Sequence, residues 1–174
     1  IQEAYERCGM TTTSGHSLKS ARTSLNLLFA EWANRGIHLW KVSLHENTLV
    51  SGQAEYSVSA GVSDVLEAFV STTAAGANTA NTQDVSLTKI DRSAYAALPN
   101  KLATGQPSQY YVERETTPKI YLYQAPDVVT YKVLKYYVIK RIEDAGAYTN
   151  DADVVFRFLP CMVAGLAYYL AMKN

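Results

Sequence analysis

Between Ser17 and Arg35 the apolar positions Leu18, Ala21, Leu25, Leu28, Phe29 and Trp32 recur at three- and four-residue steps, while Lys19, Arg22, Asn26 and Arg35 fall largely off that stripe. This period predicts an amphipathic helix that commits one face to a core. Its ends are marked as well. Ser17 can cap the first turn, and Gly36 can take the left-handed conformation that stops a helix. Glu31 and Arg35 add an i,i+4 pair worth roughly a few tenths of a kcal/mol. A short helix from Ile1 to Cys8, ending at Gly9, precedes it, and the polar stretch Thr11 to His16 reads as a loop.

After Gly36 the period changes to two, with Ile37, Leu39 and Lys41 alternating against His38, Trp40 and Val42, as in a strand. Glu46 to Thr48 reads as a turn, followed by short strands at Leu49-Val50 and Ala54 to Val58 on either side of Ser51-Gly52. Val62 to Ser71 is apolar enough for a strand and regular enough for a helix; Val65, Phe69 and Val70 tip the reading to strand. Thr72 to Gln83 holds only small and polar side chains before Asp84, too little burial to offset its ordering entropy, and is expected as an exposed loop. Asp91 then caps a short helix that ends at Leu98, before Pro99. A loop with its turn at Gly105 runs from Pro99 to Pro107.

From Gln109 onward the pattern predicts a three-strand meander: Gln109 to Glu115, Lys119 to Tyr123 and Thr130 to Arg141, with turns at Pro118 and Pro126. Ile120 and Leu122 oppose Tyr121 and Tyr123, and Leu134, Tyr136 and Val138 oppose Val133, Tyr137 and Ile139. Such a sheet needs cover on both faces, from a second sheet, from helices or from a neighbouring subunit. The last element, Asp151 to Lys173, repeats apolar residues at helical spacing from Val154 to Leu170, with Gly165 able to admit another backbone. Pro160 either kinks this helix or marks where its regular part begins.

The expected fold is therefore α+β, with N- and C-terminal helices packed together and bracketing a mostly antiparallel β-rich middle. Residues 1–36 form the N-terminal helical part, 37–148 the β-rich middle, and 149–174 a C-terminal helix packing with the N-terminal ones, all within one compact unit. The two long helices are expected to pair with each other and with one face of the sheet.

Composition narrows what such a fold can do. Sixteen basic residues balance sixteen acidic ones, so net charge does not draw the protein to nucleic acid or an anionic membrane. No stretch approaches the ~20 apolar residues of a membrane helix, since Arg157 and Pro160 interrupt the most apolar run. Cys8 and Cys161 lack the spacing of a metal knuckle or redox pair and read as two buried thiols. Ile1 in place of Met, and Asn174 still within a helical pattern, lead us to expect that the chain continues at one or both ends. Thirteen tyrosines against four phenylalanines fit either contacts buried on assembly or a β-rich fold.

Candidate chemistry is sparse. His16, His38 and His45 are not spaced as metal ligands, and Ser59-Ala60-Gly61 lacks the glycine spacing and lysine of a phosphate loop. No serine sits in a G-x-S-x-G elbow. Glu113 and Glu115 share one side of a strand at a rise compatible with a glycosidase carboxylate pair, but a strand end beside Arg114 would keep both solvated and ionised. Glu31 is accounted for by Arg35. Neither a catalytic centre, a cofactor nor a metal is expected.

Three blocks, in order, carry a family likeness. Ala4-Tyr-Glu-Arg-Cys-Gly9 and Ser20-Ala-Arg-Thr-Ser-Leu-Asn-Leu-Leu-Phe-Ala-Glu-Trp-Ala-Asn-Arg-Gly36, running into Leu39-Trp40-Lys41-Val42, resemble the N-terminal half of podovirus head-to-tail adaptors, the tail tubular protein A family. Tyr110-Tyr-Val-Glu-Arg114, Pro118-Lys-Ile-Tyr-Leu-Tyr123 and Pro126-Asp127 are similar to that family's central sheet, and Leu159-Pro-Cys-Met-Val-Ala-Gly-Leu-Ala-Tyr-Tyr-Leu170 to its C-terminal helix. The resemblance implies a structural ring of about twelve subunits in the virion neck, assembled in the host cytoplasm. The portal would sit on one side and the tail nozzle on the other, with fibres at the flank in some members and DNA passing through the bore unbound. In related adaptors an extension beyond the C-terminal helix grips the portal.

A neutral subunit suits such a bore, since clustered Lys and Arg would form a salt-sensitive brake on DNA. Interfaces are expected at Tyr110, Tyr111, Tyr121, Tyr123, Tyr136 and Tyr137 of the meander, Thr72, Thr73, Asn78 and Asn81 of the small-residue loop, and Tyr168 and Tyr169 of the last helix. The competing readings are a virion-associated peptidoglycan hydrolase, acting through Glu113 or Glu31, and a monomeric β-sandwich binding module with a tyrosine platform.

Overall fold

A computed structural model describes residues 1–10, 15–37, 41–59, 61–73, 82–115, 117–142 and 154–173. The protein is α+β, with helices at both termini bracketing a β-rich middle. Its helices are α1 (Gln2–Arg7), α2 (Gly15–Asn34), α3 (Arg92–Ala97) and α4 (Leu159–Ala171). Its strands are β1 (Val42–Thr48), β2 (Glu55–Ser57), β3 (Val62–Ser71), β4 (Asp84–Ser86), β5 (Thr88–Ile90), β6 (Thr104–Gly105), β7 (Gln109–Glu113), β8 (Lys119–Tyr123), β9 (Ala125–Pro126) and β10 (Val133–Lys140). The chain divides into two compact units, residues 1–41 with 141–174 and residues 42–140, each with a core of its own. The sequence pattern had set boundaries after residues 36 and 148 and grouped the whole as one unit.

In the helical unit, local sequence decides where helices stop. At the end of α2, Gly36 takes φ +73°, its amide donates to Ala33 O (3.1 Å) and the Ile37 amide to Trp32 O (2.9 Å). These paired bonds satisfy carbonyls that the last turn would otherwise leave open. Gly9 repeats the device after α1, at φ +67°, with Met10 N donating to Tyr5 O and Gly9 N to Glu6 O, both at 3.0 Å. The start of α2 departs from expectation: the helix begins at Gly15, so Ser17 is not its cap and instead offers its carbonyl to the Tyr5 hydroxyl (2.7 Å).

Pro160 sits in the first turn of α4, after a 3₁₀ turn at Phe156–Phe158, where its missing amide removes no intrahelical bond. The helix therefore starts at Leu159, beside the proline, and Pro160 does not interrupt it. Phe29, Leu25, Leu28 and Trp32 of α2 share one buried cluster with Ala4 and Tyr5 of α1, Leu166 and Leu170 of α4, and Ile142. Gly165 makes room for a side chain, not for another backbone: a Cβ there would lie 2.9 Å from Leu28 Cδ2. The two thiols are not both buried. Cys8 is half-buried and donates to Ala167 O (3.2 Å), whereas Cys161 is exposed, and both are free.

The β unit corrects the expected meander. β7 and β8 form the anticipated hairpin, but β10 joins a different sheet, of order β1-β10-β3-β4, while β8 pairs on its other side with β2 in the order β2-β8-β7-β5. Alternation told which residues share a face, not which strand would be the neighbour. β1 extends through Glu46 to Thr48, expected as a turn, because those residues pair with Lys135 to Val133. Of the strand expected from Ile37 to Val42, residues 38–40 lie outside the described set. Leu49-Val50 is not a strand, although Leu49 is buried and its amide bonds Lys132 O. β3 matches its predicted bounds, and the expected Pro99–Pro107 loop contains β6, which pairs in parallel with β9.

Val65, Ala68, Val70, Leu134, Tyr136 and Val138 from the first sheet form one core with Tyr56, Tyr110, Val112, Ile120 and Leu122 from the second. The β unit is thus a sandwich. Two register shifts interrupt the pairing of β3 with β10, leaving Leu66 and Ser63 without partners on β10; at the first, Leu66 (42% exposed) and Glu67 are exposed in succession between the buried Val65 and Ala68.

Candidate interaction surfaces

The most organised surface chemistry lies on the outer face of the β7–β8 hairpin. Because side chains alternate, Tyr110 and Val112 enter the core and Tyr111 and Glu113 face away; on β8, Ile120 and Leu122 enter and Tyr121 and Tyr123 face away. Tyr111 and Tyr121 are cross-strand partners, with ring centroids 6.0 Å apart and planes at 21°. Tyr95 of α3 covers both, at 5.4 Å from Tyr111 and 5.7 Å from Tyr121. The Lys101 ammonium lies 5.6 Å from the Tyr95 ring centre. Offset ring pairs contribute about 0.5–1.5 kcal/mol each beyond their buried area, so these contacts favour the six-residue α3 lying against the sheet. Asp91 fixes the start of that helix by accepting the Ala94 amide (2.7 Å).

Polar groups lock the rest of this face. Lys119 and Glu55 pair at 2.7 Å, and that hydrogen bond holds the Glu55 carboxyl below its ordinary range. Burial, then a hydrogen bond to Glu113 and the charge of Glu55, push the Tyr121 hydroxyl up to about 12, so it remains a donor. Beside this stack, Asp64 accepts Arg114 (Nη2 at 2.8 Å) and lies 3.5 Å from the Lys89 ammonium. Burial alone would raise the Asp64 pKa; the Arg114 hydrogen bond, Lys89 and the Val65 amide outweigh it, and the net shift is downward.

The expected tyrosine surface is only partly a surface. Tyr110 and Tyr136 are each 1% exposed and belong to the sandwich core, with hydroxyls donating to Leu66 O (3.3 Å) and Asn47 Oδ1 (3.4 Å); their area is already used inside the subunit. Tyr111, Tyr121 and Tyr123 are half-buried. Tyr137 is exposed beside Phe69 and opposite Leu44, which makes part of the outer face of the first sheet apolar. Tyr168 is 65% exposed, while Tyr169 donates to Glu31 (2.9 Å). Thr72 and Thr73 tie the base of their loop to Gln83 and Thr82; Asn78 and Asn81 lie outside the described residues. The exposed face of α4 carries Cys161, Ala164 and Tyr168, with Met172 exposed just after its end, and the helix has no charged residue.

The candidate catalytic groups do not converge. Glu113 bonds Tyr121 and stands opposite Lys119, Glu115 is exposed, and Glu31 is engaged by Arg35 and Tyr169. His45 meets Ser59 Oγ at 3.2 Å; burial, then the charge of Lys140, lowers its pKa. His16 is exposed at the start of α2, and His38 lies outside the described residues. Among the described residues no group of three His, Cys, Asp or Glu side chains could hold a metal, and no helix is long and apolar enough to cross a membrane. Tyr95, Lys89, Arg92 and Asp64 went unnoticed in the sequence, where each is an ordinary polar residue in a separate segment.

The described surface thus has a tyrosine-clad outer face on one sheet and exposed apolar positions on the other sheet and on α4. The SU10 adaptor protein family matches residues 17–174, and the chain belongs to that family, which makes it a structural phage adaptor. No curated protein matches it.

Proposed function

We propose that this adaptor forms a ring in the neck of a short-tailed phage, between the portal and the tail nozzle, with DNA passing through its bore. The family match over residues 17–174 carries this reading, and the ordered resemblance to tail tubular protein A supports its finer parts, including a ring of about twelve copies. The balance of sixteen cations and sixteen anions is consistent with a bore that lets DNA slide. The exposed apolar positions Leu44, Tyr137, Tyr168 and Met172 offer contact area to neighbours. In this role the chain works by contact, with its partners the portal, the nozzle and, at the flank, fibres.

The test is assembly. Purified chain mixed with its portal should yield a ring-on-ring particle in negative stain, with native mass spectrometry giving the number of copies. Persistence as a monomer with no affinity for the portal would defeat the proposal. Clearing of permeabilised host cells by the purified chain, abolished in Glu113→Gln, would replace it with the hydrolase reading.

A further inference from the structure

We propose that a cleft bounded by β5, the first residues of α3 and the end of β7 binds a carboxylate-bearing peptide segment of another protein. The cleft has a volume of about 480 Å³. Lys89, Arg92 and Arg114 bring three cations to it, and Ile90, Tyr111 and Val112 provide apolar lining. These residues come from two segments, 89–92 and 111–114, which the parallel pairing of β5 with β7 brings side by side.

The charge balance selects the ligand. Asp64 holds Arg114 through two hydrogen bonds, at 2.8 and 3.3 Å, and also faces Lys89, whose ammonium donates to Val65 O at 2.6 Å. Asp91, at the cleft edge, is occupied in capping α3. Three cations against these two carboxylates leave one positive charge. Arg92 has no ion-pair partner among the described residues, and the Arg114 side chain stays 64% exposed although Asp64 fixes it in place. One further carboxylate would neutralise the cleft and meet at least one guanidinium fork, the geometry that suits Arg–carboxylate pairing. A polyanion such as DNA would instead face Asp64 and Asp91 at every register.

The apolar lining adds a second requirement. Val112 is almost fully buried beneath the cleft, and Tyr111 forms a wall that continues into the stack with Tyr95 and Tyr121. A ligand that places a bulky apolar side chain beside its Glu or Asp would use both. The partner is thus an acidic and apolar protein segment. Its identification as another neck protein rests on the adaptor reading, whereas the chemistry of the cleft does not.

The experiment is an NMR titration of the isotope-labelled chain with an acetylated, amidated hexapeptide alternating Glu and Leu. A Lys/Leu hexapeptide and a short DNA duplex serve as comparison probes. Shifts should concentrate at Lys89 to Arg92 and Tyr111 to Arg114. Arg92→Glu should weaken binding by about fivefold or more, Arg92→Gln less, and Lys19→Glu, in the helical unit, not at all. The proposal is overturned by absence of shifts at saturating peptide, by equal shifts with the Lys/Leu peptide, by indifference to Arg92→Glu, or by cleft shifts with DNA alone. A chain that rings with portal but ignores the peptide refutes the cleft and leaves the adaptor reading standing; peptide binding without a ring does the reverse.

Discussion

The helical unit and the β unit differ in where they organise their aromatic residues. In the helical unit Phe29 and Trp32 pack inside, their centroids 6.2 Å apart, and Tyr5 is buried with them. The β unit holds nine of the thirteen tyrosines; Tyr56, Tyr110 and Tyr136 go to its core, while Tyr95, Tyr111 and Tyr121 build an ordered layer outside it. A helix bundle gains most from apolar bulk on one stripe, whereas a two-faced sheet can place a ring with a polar tip on its outer side and keep that tip wet. The β unit therefore carries the more differentiated surface, and the helical unit the simpler packing.

Removing bulk from one core is the strongest way to break this comparison. Phe29→Ala should cost about 3–5 kcal/mol, with lost hydrogen-exchange protection confined to α1, α2 and α4. Equal loss in β7 and β8 would mean that the two units unfold as one. Adding bulk comes next: Gly165→Val meets Leu28 and should cost about 1–3 kcal/mol by denaturant unfolding, and Leu28→Ala should return part of that loss. If the double variant is no more stable than expected from adding the single effects, the close approach is not what Gly165 serves.

Asp91→Ala should cost about 1 kcal/mol by removing the cap of α3. If the tyrosine layer depends on that helix, near-ultraviolet circular dichroism should weaken in the same variant. A change in stability without one would show that the stack holds α3 unaided. The acid response separates the units further. Because the Asp64 carboxyl sits below its ordinary range in the folded state, its contribution is full above about pH 4 and is lost as pH falls through the folded value. Unfolding midpoints measured from pH 5 downward should fall less steeply in Asp64→Asn than in the parent chain. The smallest effect is Arg35→Gln, roughly a few tenths of a kcal/mol, since the exposed pair with Glu31 is an i,i+4 contact in solvent.

Legibility followed the range of the interactions. The four α-helices among the described residues, the strand Val62–Ser71 and the Gln109–Tyr123 hairpin could be read from the chain because helix bonds, caps and tight connections join near neighbours in sequence. Gly9 and Gly36 each announced a stop that the paired backbone bonds then confirm. The candidate surface was far less legible. Tyr110 and Tyr111 look alike in sequence, yet one is core and the other outer wall, and parity alone could not say which face a second sheet would cover.

What the chain determined by itself is the set of helices, the inward and outward alternation of its strands, and the absence of a recognisable catalytic motif. Only the tertiary structure decided that β10 would leave the hairpin for β1 and β3, that Tyr95 would cover Tyr111 and Tyr121, and that Asp64 would gather Lys89 and Arg114 beside Arg92. Those outcomes depend on pairings between segments tens of residues apart, where many partners satisfy the same local pattern and the shared core selects among them.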